Sequence, residues 1–169
     1  YRRNPVQLPK AMSIEVRIEQ LKAARINISE FEYTSPEQIV RLAFSSSFEG
    51  DRVFAFVAGL QAMVNTAFAY RREYLLLDDL PEAQFVHNAA RNIETAAYLL
   101  RTKRDSNGNP FLYSDGFQDG ILNASYSQLL GQMIGLQDAL ATALLNKDQR
   151  TLNAVTRGVA STIFLPVGF

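Results

Sequence analysis

The sequence contains no cysteine, no tryptophan and a single histidine. Without cysteine, disulfides and thiolate metal sites are excluded. With His87 as the only imidazole, a di-iron bundle site is excluded, because it needs two Glu-x-x-His motifs. A mononuclear facial triad is excluded too, because it needs two histidines. A Ser-His-Asp triad would have to use His87, and no Gly-x-Ser-x-Gly elbow accompanies it. No glycine-rich phosphate loop is present. Net charge is also missing: 17 basic residues balance 17 acidic ones. The chain therefore lacks the electrostatic footprint of a nucleic-acid binder and the polybasic signal of an anionic-membrane binder. It starts at Tyr1 rather than Met, which reads as a trimmed or processed chain whose address label has been removed.

The 169 residues suit one domain with a real core, and the 47% hydrophobic and 20% charged content is that of a globular protein. Residues 1–10 hold two prolines and no periodic pattern, and read as an extended N-terminal arm. Residues 13–25 carry two patterns. Ile14, Val16 and Ile18 alternate like a strand, whereas Ile14, Ile18 and Leu21 share a helical face. The helix formers of Gln20-Leu21-Lys22-Ala23-Ala24 favour helix. Ser35-Pro36-Glu37-Gln38 is a capping box with proline at the first helical position. Asp51 caps a helix expected to run towards Leu77. Pro81 opens another, which buries Val86, Ala90, Ile93, Ala97 and Leu100 and ends in the basic run Arg101-Thr102-Lys103-Arg104. Residues 105–116 form a long turn-rich loop. From about Phe117 to Leu145, Leu122, Tyr126, Leu129, Met133, Leu136 and Leu140 keep the four-three spacing of a bundle seam. Leu152, Val155, Val159 and Ile163 mark a last helix, followed by the apolar tail 164–169.

The segment Val53–Tyr70 is eighteen residues without a charge. A helix that is apolar all round is a membrane span or the centre of a bundle. Eighteen residues is short for a span, and Gln61 and Asn65 would sit near the bilayer middle. The other helices each carry one apolar stripe that needs something to cover, so a central helix is expected. The fold class is all-α: a single-domain bundle of five or six helices, with the long helices at about 51–77 and 117–145 antiparallel at its centre.

Each candidate site has a plain structural alternative. Gly131-x-x-x-Gly135 reads as a close helix crossing, with Ala55 and Gly59 opposite. His87 reads as a partly exposed helix residue, with Arg91 and Glu94 one and two turns on. Asp105, Asn107, Asn109, Asp115 and Asp119 could offer oxygen ligands to calcium. Counted from Asp105, however, the sixth and twelfth positions of an EF-hand loop fall on Pro110 and Gly116, so the motif fails. Tyr70, Tyr74 and Tyr98, at helical spacing, read as core or core-edge residues rather than base-stacking platforms. Phe111, Leu112, Tyr113 and Phe117 put large apolar groups in the longest loop. They either fold back over the bundle end or face a partner. Phe111, Tyr113, Phe117 and the terminal Phe169 are therefore the candidate partner contacts. The tail itself is expected to dock, with Val167 and Phe169 over the ends of the central helices.

The segments GDRVFAFVAGL (50–60), NPFLYSDG (109–116) and STIFLPVGF (161–169) resemble helical proteins of unknown function from the proteobacterial cell envelope, some of them lipoproteins. The resemblance covers about a sixth of the chain. It implies a periplasmic location, or outer-membrane attachment through a lipid anchor upstream of Tyr1, and carries no functional residue. The expected function is a non-enzymatic envelope protein acting through contacts with another protein, a homodimer included, with no cofactor, no metal, no nucleic acid and no membrane span. The alternative is a carrier or sensor of a small apolar ligand between helices. It draws on the small residues Ala58, Gly59, Ala62, Ala89, Ala96 and Gly135.

Overall fold

The computed structural model describes residues 1–22, 31, 35–71, 80–118 and 120–146. Among them are a short 3-10 helix (Pro5–Gln7), five α-helices and one β-hairpin. The helices are α1 (Ile14–Lys22), α2 (Pro36–Leu42), α3 (Arg52–Ala67), α4 (Ala83–Thr102) and α5 (Ser125–Asn146), and strands β1 (Gly116–Gln118) and β2 (Ile121–Asn123) lie between α4 and α5. The chain is thus a predominantly helical bundle. The expected helix near 152–163, the tail 164–169 and Phe169 lie outside the described residues.

The start signals act as their chemistry requires. The Ser35 side chain accepts from the backbone N–H of Gln38, and Pro36 opens α2. The Asp51 carboxylate accepts from the N–H of Phe54 at the start of α3. Arg52, the next residue, donates to the carbonyls of Ala43, Ser45 and Phe48. One side chain thereby satisfies carbonyls left open where α2 ends.

Helix α3 is central, as its all-round apolarity implies. Phe54, Ala55, Phe56, Ala58, Gly59, Leu60, Ala62, Met63, Val64 and Ala67 are all buried. It does not continue to Leu77. It ends at Ala67, and Ala69 and Tyr70 adopt φ of +50° and +60°. Two successive left-handed residues cannot continue a right-handed helix. Gly59 meets α2 rather than α5: a Cβ there would stand 2.6 Å from Val40 Cγ2 and 3.1 Å from the Pro36 carbonyl. On the other side α3 packs against α4, and α4 in turn makes its largest contact with α5. The two long helices expected side by side at the centre are therefore separated by α4, which was expected to cover them. No described helix is long and apolar enough to cross a membrane.

Three local readings change. The N-terminal arm is not extended: it turns, forms the 3-10 helix and buries Asn4. Helix α1 forms, but Ile14 and Val16 are exposed, and the residue it buries is Arg17, 2% exposed. Arg17 Nε lies 3.1 Å from Asp51 Oδ2, and the guanidinium stands 4.0 Å above the ring of Phe54. The seam of α5 is rotated. Leu130, Gln137 and Leu140 are buried, with Tyr126, Met133 and Leu144 packed beside them, whereas Leu129 is 37% exposed. The four-three spacing is kept, but it passes through a glutamine.

A melting series tests this arrangement. Leu140→Ala is expected to cost about 2–5 kcal/mol as a filled core site. Asp51→Ala, which strands the buried Arg17, is expected to cost about 3–5 kcal/mol. Leu129→Ala should cost about 1 kcal/mol or less, as a surface change. With about 2–4 °C per kcal/mol at this chain length, the three separate clearly by melting temperature. A Leu129→Ala loss as large as that of Leu140→Ala would contradict the observed seam.

Candidate functional site

The hairpin was not anticipated: Phe117 and Leu122 were both placed on the helix that now begins at Ser125. Its register pairs Gly116 with Asn123, Phe117 with Leu122 and Gln118 with Ile121. Two positions separate the strands, and Gly120 is the second of them. Gly120 has φ of +79°, which glycine adopts without a Cβ penalty. The signal was in the sequence, since Asp-Gly between apolar residues is a strong short-range hairpin marker.

Three side chains fix the hairpin to the bundle. Asp115 accepts from the backbone N–H groups of Tyr126, at 3.0 Å, and Ser127, and from the Ser127 hydroxyl. It thus caps α5 from eleven residues upstream. Asn123 accepts from both the N–H and the hydroxyl of Ser125. Asn4 of the arm donates to the Tyr113 carbonyl at 2.8 Å and accepts from its N–H at 2.7 Å. Phe111 is half-buried, with the Arg52 guanidinium 4.7 Å over its ring, and Leu112 is buried. The first part of the loop therefore folds back and the second part does not.

What remains outside is apolar. Tyr113 is exposed while its backbone is held. Phe117 is 73% exposed and Leu122 59%. As directly opposite residues these two share one face of the hairpin. Ile121 is exposed on the other face, and Leu129 lies one turn into α5. Five of the exposed large hydrophobic residues thus fall within the seventeen positions 113–129. Isolated exposed apolar residues are normal; these five are close in sequence and lie on both faces of the hairpin and at the start of α5. Of the candidate contacts, Tyr113 and Phe117 are exposed, Phe111 is packed beneath Arg52, and Phe169 lies outside the described residues.

The other candidates resolve differently. Gly131 and Gly135 are not at a helix crossing: both are exposed, and a Cβ on either would meet nothing within 4 Å. His87 is exposed, with Nδ1 3.6 Å from Asp138 Oδ1 on α5. Arg91 pairs with both Asp138 and Glu94. The group is a surface bridge between α4 and α5. Asp105 serves its own turn. Its carboxylate accepts from the N–H groups of Asn109 and Asn107, and the Asn109 bond above all holds it below the usual carboxylate range. Among the described residues no group of three His, Asp or Glu is placed to hold a metal ion. Tyr70 and Tyr98 are exposed rather than core residues, and Tyr74 lies outside the described residues. No family model, curated protein or solved structure matches the chain.

The Asp115 cap can be tested. Asp115→Ala should cost about 0.5–2 kcal/mol, the range for a lost helix cap. Hydrogen exchange should quicken at the Tyr126 and Ser127 amides before it does in α4. Unchanged protection at those two amides would show that Asp115 does not hold the hairpin to α5.

Proposed function

We propose that this chain is a non-catalytic protein of the cell envelope that works by holding another protein against its apolar hairpin surface. The observation that supports this most is the hairpin itself. Phe117 and Leu122 are presented together on a rigidly anchored element, although burying either would gain roughly 1.5–3 kcal/mol. Short free strand edges are usually blunted by lysine, proline or a bulge. Ile121-Leu122-Asn123 carries none of these residues and no charge. A homodimer is one form such contact takes. The placement in the periplasm, or at the outer membrane through an anchor upstream of Tyr1, is drawn from the resemblance of the three segments named above.

A photo-crosslinking residue in place of Phe117, in the chain expressed in its own cells, tests the reading. A discrete protein adduct from Phe117, absent from the same residue placed at exposed Lys103, is the expected result. Equal labelling at both positions would overturn it. Fractionation of the same cells tests the location.

One observation favours the second reading, a carrier of a small ligand. Gln137 is 1% exposed, and its Oε1 has no hydrogen-bond partner among the described residues. A buried acceptor without a partner costs about 1–3 kcal/mol. If it only fills the seam, Gln137→Leu should raise stability by a similar amount, read as a higher melting temperature. A lower melting temperature, with a small-molecule adduct in native mass spectrometry of the wild type alone, would favour the carrier instead.

A further inference from the structure

The N-terminal arm is attached to the bundle by side-chain hydrogen bonds at three points. The Tyr1 hydroxyl donates to Asp51, Asn4 holds both backbone groups of Tyr113, and the Gln7 Oε1 accepts from the Arg52 amide at 3.2 Å. Apolar burial adds little to this. Among the described residues the apolar core takes nothing from positions 1–12, and Val6 is 88% exposed.

Each point tolerates the arm's departure. When Tyr1 leaves, Asp51 keeps its bonds to Arg17 and the Phe54 amide, so no charge is stranded. The Arg52 amide lies in the first turn of α3, where intrahelical acceptors are lacking and water can replace Gln7. Tyr113 is exposed, so water reaches its backbone once Asn4 is gone. One group gains outright. Arg3 Nη1 is buried and has no hydrogen-bond partner among the described residues. Arg3 Nη2 lies against Gly116, where a Cβ would stand 3.2 Å from it. A charged donor kept from water without an acceptor is more costly than a neutral one. The docked arm therefore carries a penalty that lifting removes.

We propose that residues 1–8 form a strap with a docked and a lifted state, and that its docking regulates the hairpin. The second part rests on the reading of the hairpin as a contact surface. Asn4 and Gln7 flank and end one short 3-10 helix, Pro5–Gln7, so loss of either attachment weakens the other and the strap lifts as a unit. Tyr113 leads through Ser114 and Asp115 directly into β1. Lifting removes the tie on that side of the hairpin. Strands of three residues are marginal alone, so the loosened hairpin has a higher ordering cost to meet on binding.

Hydrogen exchange of the full chain, read amide by amide, tests the strap. Asn4→Ala should quicken exchange at the Arg52 amide, whose acceptor is Gln7. Gln7→Ala should quicken it at the Tyr113 amide, whose acceptor is Asn4. Each change should be about tenfold or more, as for the loss of a buried hydrogen bond. Arg3→Met, which keeps the reach of the side chain and removes the stranded donor, should slow exchange at both amides. The Ile93 amide of α4 should match the wild type in all three variants, showing that the bundle stays folded. Effects confined to the amide that each substituted residue itself holds overturn the strap, and so does faster exchange at both amides in Arg3→Met. The Phe117 crosslink separates the strap from the reading beneath it. Asn4→Ala and Gln7→Ala should lower the yield of the adduct. Exchange effects as expected, with no adduct even in the wild type, keep the strap and remove the contact surface. An adduct whose yield ignores both substitutions keeps the contact surface and overturns the regulation.

Discussion

The buried carboxylate of Asp51 joins three parts of the chain: the arm, α1 and the start of α3. One oxygen accepts from the Phe54 amide and starts α3. The other accepts from Arg17 of α1 and from the Tyr1 hydroxyl at 2.5 Å. Burial, together with the Asp51 carboxylate, pushes the Tyr1 phenol well above its usual range, so it remains a donor. Arg17 spends its other reach on Gln20 and on the face of Phe54. A buried ion pair is not by itself a source of stability, but removing either partner strands a charge. Its use here is positional. It specifies where α1 and the arm must sit on an otherwise uniform apolar helix.

That placement carries through to the exposed hairpin. The arm held by Tyr1 at Asp51 also delivers Gln7 to the Arg52 amide and Asn4 to both backbone groups of Tyr113. Tyr113 precedes Ser114 and Asp115, and Asp115 holds the first turn of α5. The hairpin between Asp115 and Ser125 is thus tied at both ends, although Phe117, Ile121 and Leu122 remain exposed. Rigid presentation of apolar side chains lowers the ordering cost of binding. It also explains why a three-residue strand pair, marginal alone, persists at the edge of a helical bundle.

Much of the fold was legible because it rests on local chemistry. The Ser35 and Asp51 caps, the buried stripe of α4 and the central place of α3 all follow from residues within a few positions of one another. What was not legible is non-local or polar. Nothing near Arg17 announces that it will be buried, since its partner is 34 positions away. Asp115 looks like a loop residue because the helix it caps begins ten positions later. Counting only apolar residues in α5 selected Leu129 and Leu136, because the position that takes the core holds Gln137. That one polar residue rotated the expected seam and hid the bare outer face. The hairpin was masked in the same way: Leu122 fits a four-three spacing, which drew Asp119-Gly120 into the helix expected from about Phe117.

The energetics of the outer surface favour reversible contact over permanent assembly. Fully burying Phe117, Leu122 and Leu129 would gain at most about 4.5–9 kcal/mol in total, at about 1.5–3 kcal/mol each. Association costs an estimated 4–15 kcal/mol in lost translational and rotational freedom. The two terms nearly cancel, and Leu129 is already more than half covered. An obligate interface would need a larger apolar area, resembling a core cut in half. The inner face of α5 has that character and spends it on α4. The outer face offers glycine, alanine and amides around a few large side chains. Such a surface excludes little water per unit length, yet imposes no charge penalty on whatever approaches it. Helix α5 is bound firmly to α4 on the side of Leu130 and Leu140, and its other side is exposed and carries no charge.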